Sequence, residues 1–192
     1  MAGTEFPKVC PERHIEGDGK FCLGLDRPEI HTIEAAQEWW EALRQFLLCQ
    51  RVADDTEVWP PSSSLDHGDA GEWHAKSLEL ARELGVEEQY KRARTGEKNW
   101  INDLGQRLVD RHGEPINGRS PCPMGCTWTK RGRRIPKLRS ECSRRSQVIE
   151  LVKAERLRME KLDEFWVLMG DSGSECCRTM RDCPLRDRVE AA

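Results

Sequence analysis

The stretch TIEAAQEWWEALRQFLLCQR, Thr32–Arg51, decides the fold class. Ile33, Ala36, Trp39, Trp40, Leu43, Phe46 and Leu47 recur every three or four residues, the period of an apolar helix face. Thr32 stands just before them as a candidate N-cap, since its hydroxyl can accept from an unpaired N–H of the first turn. A helix is therefore expected from Thr32 to about Arg51. Next comes WPPSSSLDHGDAGEW, Trp59–Trp73, whose prolines and serines read as a loop. A second helix is expected from about Gly71 to Leu84, with Gly85 as its stop. Between Val86 and His112 the pattern predicts one or two further helices, with Tyr90, Trp100, Ile101, Leu104 and Leu108 turned inward. GEPINGRSPCPMGC, Gly113–Cys126, breaks the pattern, and residues 127–145 have no helical period. A last long helix is expected over about Ser146–Met169, with Val148, Ile149, Val152, Leu157, Leu162, Phe165 and Trp166 as its apolar stripe. The tail GDSGSECCRTMRDCPLRD, Gly170–Asp187, is loop-like. The expected fold is mainly α: helices joined by irregular, zinc-pinned cysteine segments, with at most small β-hairpins around them. The expected organisation is a helical domain over 1–118 with an N-terminal Cys/His segment. A cysteine-rich zinc-binding region with one long helix follows over 119–192.

The chain of 192 residues suits one domain, or one with a small appendage, and is long enough to bury a core. Charged residues make up 34% and hydrophobic ones 37%, so that core is lean. Seven Trp against one Tyr and four Phe supply large buried area per residue. The net charge of −3 argues neither for nor against nucleic acid. No apolar run approaches the roughly 20 residues of a membrane helix, and the N-terminus has no apolar signal region. The expected location is cytoplasmic, with no membrane partner.

Nine cysteines is an odd number and high for such a compartment, where disulfides are disfavoured. Clustered cysteines there point to metal ligands or catalytic thiols. Cys122 and Cys126 sit on a Pro- and Gly-containing turn; Cys142, Cys176, Cys177 and Cys183 follow. Zinc takes four such ligands in a tetrahedron, and a tight turn presents two of them together. A helix over 146–169 would separate Cys142 from the tail cysteines by about 35 Å at 1.5 Å per residue. One of them must then fold back, or they serve different sites. PKVCPERHIEGDGKFCLGL, Pro7–Leu25, places Cys10, His14 and Cys22 around a Gly-Asp-Gly turn. These are three further candidate zinc ligands. One tail cysteine would complete the four and tie the two ends of the chain together. Cys22 remains open as metal ligand, nucleophile or inert thiol. Cys49, beside Leu47 and Leu48, reads as a core thiol.

Other polar residues carry less. Asp66 or Asp69 is expected to cap the second helix, with Glu72 favourable in its first turn. That reading competes with a carboxylate–histidine site at His67. His74 is expected to be exposed, and His31 and His112 to sit at helix ends. The basic strip Lys130–Arg145 holds eight Lys or Arg against the single acid Glu141. It could bind a phosphate backbone or an acidic protein face.

Three resemblances attach to these residues. NGRSPCPMGCTWTKRGRRIPKLRSEC, Asn117–Cys142, resembles a divergent SEC-C-type zinc motif. Cys122 and Pro123 match its opening and Cys142 its closing ligand, while Met124 stands where a second knuckle cysteine belongs and Cys126 lies two residues later. His14, the Asp-Gly turn and Cys22-Leu23 resemble the active-site strip of ubiquitin-conjugating E2 enzymes. That likeness implies Cys22 as a thioester nucleophile, with His14 ordering the loop or polarising the acyl carbonyl. An E2 fold places a helix and a four-stranded sheet before this strip, and 21 residues precede Cys22 here. The WW helix and the WPPSSSLDHGDAGEWHAKSLELARELG stretch resemble small cysteine-rich proteins that accompany bacterial E2-like conjugation genes. That likeness implies a zinc-binding accessory or adaptor protein of a ubiquitin-like conjugation system, including antiphage defence, with an E2-like or ubiquitin-like protein as partner. The alternatives are an E2-like conjugating enzyme using Cys22 with His14, and a nucleic-acid-binding zinc protein acting through 130–145.

Overall fold

The computed structural model describes residues 9–24, 29–60, 66–103, 127–136 and 142–186. The fold is mainly α. A 3-10 turn, Pro11–Arg13, precedes α1 (Ile33–Thr56), α2 (Ala70–Leu84), α3 (Glu87–Arg94) and the short α4 (Trp100–Asp103). A hairpin of β1 (Thr127–Lys130) and β2 (Arg133–Pro136) follows, and then α5 (Arg145–Asp171). Among the described residues no helix is long and apolar enough to cross a membrane.

Thr32 caps α1: its Oγ1 accepts from the Ala35 N–H at 3.1 Å. The helix runs past Arg51 to Thr56 because nothing between them breaks it, and Pro60 lies further on. Its buried residues are Phe46, Cys49, Gln50 and Ala53, with Ala36, Trp39 and Leu43 partly covered on the same line. Ile33, Trp40 and Leu47 belong to a second apolar line seven residues apart, and they are exposed. A helical period marks both lines equally and does not say which one is covered.

Gly85 ends α2 as expected. It sits at φ 70°, and its N–H returns to the carbonyls of Ala81 and Arg82. Asp69 occupies the N-cap position of α2, but its side chain makes no cap bond; Glu72 lies in the first turn. His74, expected to be exposed, is buried. It falls on the line Ala70, His74, Ser77, Ala81, Leu84, so the helix period turns it inward; its ring lies 6.1 Å from that of Tyr90. His31 is exposed and pairs with Glu29 at 2.8 Å. Leu104, Leu108 and His112 lie outside the described residues.

Two compact units divide the chain, one of residues 1–67 with 163–192, the other of residues 68–162. The second unit's core joins Leu80, Ala81 and Leu84 of α2 to Tyr90 of α3, Ile101 of α4, and Val148, Leu151 and Val152 of α5. Cys142 and Trp100 pack against it. On α5, Glu155 and Arg158 form a buried bidentate pair at 2.7 and 2.8 Å. The β1–β2 turn takes positive φ at Arg131 (49°) and Gly132 (75°), the pattern of a two-residue hairpin turn that suits strand twist. The first unit contains α1, the Asp163–Asp171 end of α5, and the cysteine segments from both ends of the chain.

Candidate functional site

In the first unit the segment Val9–Gly24 folds as two linked turns. Cys10 and Ile15 exchange both backbone hydrogen bonds at 3.0 Å, closing the loop that contains the 3-10 turn. His14 follows that turn at φ 54°, with its N–H on the Pro11 carbonyl. The chain then reverses through Gly17-Asp18-Gly19. Glu16 N–H donates to the Lys20 carbonyl at 2.8 Å, and Cys22 N–H to the His14 carbonyl at 2.9 Å. Cys22 and His14 are thus held directly across a narrow hairpin. The Cys22 thiol is half-buried, whereas Cys10 and Cys49 are almost fully buried.

Arg13 and the aromatic rings fasten this hairpin to α1. Arg13 is buried; its Nε donates to Gln50 Oε1 at 2.8 Å, its Nη2 to the Gln50 carbonyl at 3.1 Å, and it pairs with Asp54. Gln50 returns a bond from its amide to the Arg13 carbonyl at 2.7 Å. Phe21 stacks on Phe46 with centroids 4.6 Å apart, and Phe46 meets Trp59 at 5.8 Å. The His14 ring lies 4.8 Å from both Trp59 and His67, and His67 stacks on Phe165 at 5.1 Å. Burial pushes His14 down to about 3, with a further contribution from the neighbouring His67. Burial likewise pushes His67 down to about 4. Both rings are therefore neutral at pH 7. In this setting His14 braces the hairpin; it is a poor proton carrier.

The tail reaches the same unit. Arg181 donates its backbone N–H to the Glu57 carbonyl at 2.9 Å and its guanidinium to the Thr56 carbonyl at 3.1 Å. A cation is thereby placed on the last carbonyls of α1, where the helix dipole favours it. Met180 and Leu185 are buried on either side of Cys183. Cys10 forms a thiol hydrogen bond with Cys177, and Cys183 forms one with Cys176. The bond from Cys10 draws Cys177 down to about 5, with Thr179 adding a contact at 3.1 Å. Cys10 itself is pushed well above the thiol range by that bond and by burial. Burial raises Cys183 to about 12. Glu12, close to Cys177, Asp182 and Asp66, is pushed up to about 7, chiefly by burial.

Of the sequence-selected residues, the structure brings together Cys10, Cys176, Cys177 and Cys183, and pairs Cys22 with His14 through the backbone. Cys142 lies in the second unit, and Cys122 and Cys126 lie outside the described residues. His67 sits among aromatic rings. Among the described residues, no three or more His, Cys, Asp or Glu side chains stand ready around a common metal position. Arg13, Gln50, Asp54 and Trp59 give no signal in the sequence, because their partners lie tens of residues away.

No curated protein and no solved structure matches the chain. Residues 1–61, which include the Cys22–His14 hairpin, match the family described as a prokaryotic E2 domain. Residues 66–185, most of the chain, match the family described as a cysteine-rich domain C-terminal to an E2 domain. Mainly helical among its described residues, the chain belongs to this family of cysteine-rich, E2-associated domains.

Proposed function

We propose that the protein acts in ubiquitin-like conjugation as an E2-type carrier, with Cys22 as the acceptor thiol. The observation that carries this reading is the half-exposed Cys22, held opposite His14 inside the segment that matches the prokaryotic E2 domain. The other described cysteines of that unit are either buried or hydrogen-bonded to one another. In the transfer, the Cys22 thiolate attacks the carbonyl of a ubiquitin-like protein held as a thioester on its activating enzyme. The new C–S bond forms as the old one breaks, and the leaving thiolate takes up the proton that Cys22 gives to solvent. His14 supports the loop rather than polarising the carbonyl, since its ring is buried among Trp59 and His67. The match covers the hairpin itself, and this outweighs the count of residues before it. The partner class is an activating enzyme with its ubiquitin-like protein.

A second reading is a zinc-binding adaptor that carries no acyl group; the convergent thiols of Cys10 and the tail favour it. The two readings separate on one gel. The protein is incubated with ATP, a bacterial ubiquitin-like protein and that protein's activating enzyme, then run without reductant. The carrier reading expects an adduct that reductant cleaves, absent from Cys22→Ala, and converted to a reductant-resistant ester in Cys22→Ser. No adduct in the unaltered protein selects the adaptor, and an unchanged adduct in Cys22→Ala overturns Cys22 as the acceptor thiol.

A further inference from the structure

Cysteines from the two ends of the first unit converge. Cys10 and Cys177 share a thiol hydrogen bond, as do Cys183 and Cys176; Cys183 also lies within electrostatic range of Cys10 and Cys177. None of the four is in a disulfide. Cys10 and Cys183 are 1% and 5% exposed, while Cys176 and Cys177 are half-buried at the surface of the group. Three of these thiols lie on a polar, turn-rich tail, and the fourth, Cys10, comes from the N-terminal segment.

We propose that Cys10, Cys176, Cys177 and Cys183 form a four-thiolate zinc site, and that His14 and Cys22 stand outside it. The site joins a residue near the start of the described chain to three near its end, and it leaves Cys22 free for acyl transfer. It does not depend on the carrier reading. Four thiolates are a donor set that zinc takes in a closed, tetrahedral, structural site. The local backbone suits it. Arg178 adopts φ 61°, and this left-handed residue turns its own N–H onto Cys176 Sγ at 3.3 Å. A backbone N–H aimed at sulfur stabilises a thiolate rather than a thiol. Zinc with four thiolates carries a charge of about −2, and Arg13, which acts electrostatically on Cys177, supplies a nearby cation.

As described, the sulfurs meet as two hydrogen-bonded pairs and do not yet surround a common point. The step balances simply: each remaining S–H bond loses its proton to solvent, four Zn–S bonds form, and no electron moves.

The test uses the full chain, purified without metal-affinity chromatography, and reads each cysteine by alkylation and mass spectrometry with and without a chelator. The expected result is that Cys176 and Cys177, which solvent can reach, resist alkylation together with Cys10 and Cys183 until zinc is stripped. All four then react, while Cys22 reacts in both states. Zinc content, measured by elemental analysis, falls by one equivalent per chain in Cys176→Ser and is unchanged in Cys22→Ser. Cobalt added to the stripped protein gives the absorption of a tetrahedral thiolate centre, which Cys176→Ser weakens and Cys176→His partly restores. Three outcomes overturn the proposal: Cys176 and Cys177 alkylating equally fast with and without chelator; zinc unchanged in Cys176→Ser; or a Cys10–Cys177 disulfide recovered from protein kept in reductant. Loss of zinc in Cys22→Ser overturns the assigned ligand set. None of these readings involves acyl transfer, so failure here and failure of the carrier reading remain separate.

Discussion

Arg13 shows how a single side chain holds the hairpin in place. A buried guanidinium is stable only when paired, and this one is fully engaged by Gln50 and Asp54. Arg13→Ala leaves the Gln50 amide buried with fewer partners, and we expect a loss of about 3 kcal/mol, read as a lowered denaturation midpoint. Arg13→Lys should not restore it, because an ammonium cannot aim two donors along the guanidinium fork. A second prediction at this scale concerns pH. His14 and His67 are held near 3 and 4, below the ordinary histidine value of about 6.5, so the unfolded chain binds protons that the folded one refuses. Their contribution is fully present above about pH 6.5 and is lost as pH falls toward 4, by up to about 1.4 kcal/mol per pH unit for each ring. Glu12, raised to about 7, works the other way: its contribution is present below about 4.5 and lost as pH rises through 7. Melting temperature should therefore decline from pH 6.5 downward, most steeply near 4.5, where Glu12 no longer opposes the histidines, and level off as His67 and then His14 protonate in the folded state near 4 and 3. His14→Phe should flatten the decline; an unchanged slope in that variant would show that the ring is not the titrating group. None of this burial could be read along the chain. Arg13 and His14 look like ordinary polar residues of a loop, and their partners are set by tertiary contact alone.

The helices behave differently, because their start and stop signals are local. Thr32 and Gly85 act where the chain places them: one hydroxyl on an orphan N–H, one residue free to adopt positive φ. Thr32→Ala should cost about 1 kcal/mol. Gly85→Ala should cost a similar amount, roughly 1 kcal/mol, from backbone strain at φ 70° rather than from a clash, since the space around a new methyl is open. Chemical denaturation of both variants checks these values, and a neutral Gly85→Ala would mean that the α2 terminus rearranges. What the period does not carry is which of two apolar lines is covered. On α1 the covered line runs through Phe46, Gln50 and Ala53, so a polar Gln50 is buried while Trp40 faces solvent. Gln50 is inside because it serves Arg13, a partner 37 residues earlier. His74 is a milder case: its place on the α2 period marks it as inward, and its polar ring argues the opposite.

At the scale of the whole molecule, the first unit is assembled from both ends of the chain, with the second unit's sequence inserted between them. Ligand counting suggests a link between the ends, since the N-terminal segment has three candidate ligands and lacks a fourth. Spacing alone does not say which thiols meet, and the structure groups Cys10 with the tail while turning His14 toward Trp59. The tail also contributes the Arg181 cap on α1 and the buried Met180 and Leu185. Removing residues 172–192 therefore takes away apolar cover, a helix cap and the three thiols beside Cys10 in one step. The expected result is rapid alkylation of Cys10, now 1% exposed, and loss of amide protection in the second half of α1. The second unit draws its core from α2, α3, α4 and the first part of α5, so amides around Tyr90 and Leu151 should keep their protection. Hydrogen exchange resolved by peptide reads both units in one sample. A truncated chain that still shields Cys10 would show that α1 and the N-terminal hairpin fold without the tail, and the tail's thiols would then have no structural task in this unit.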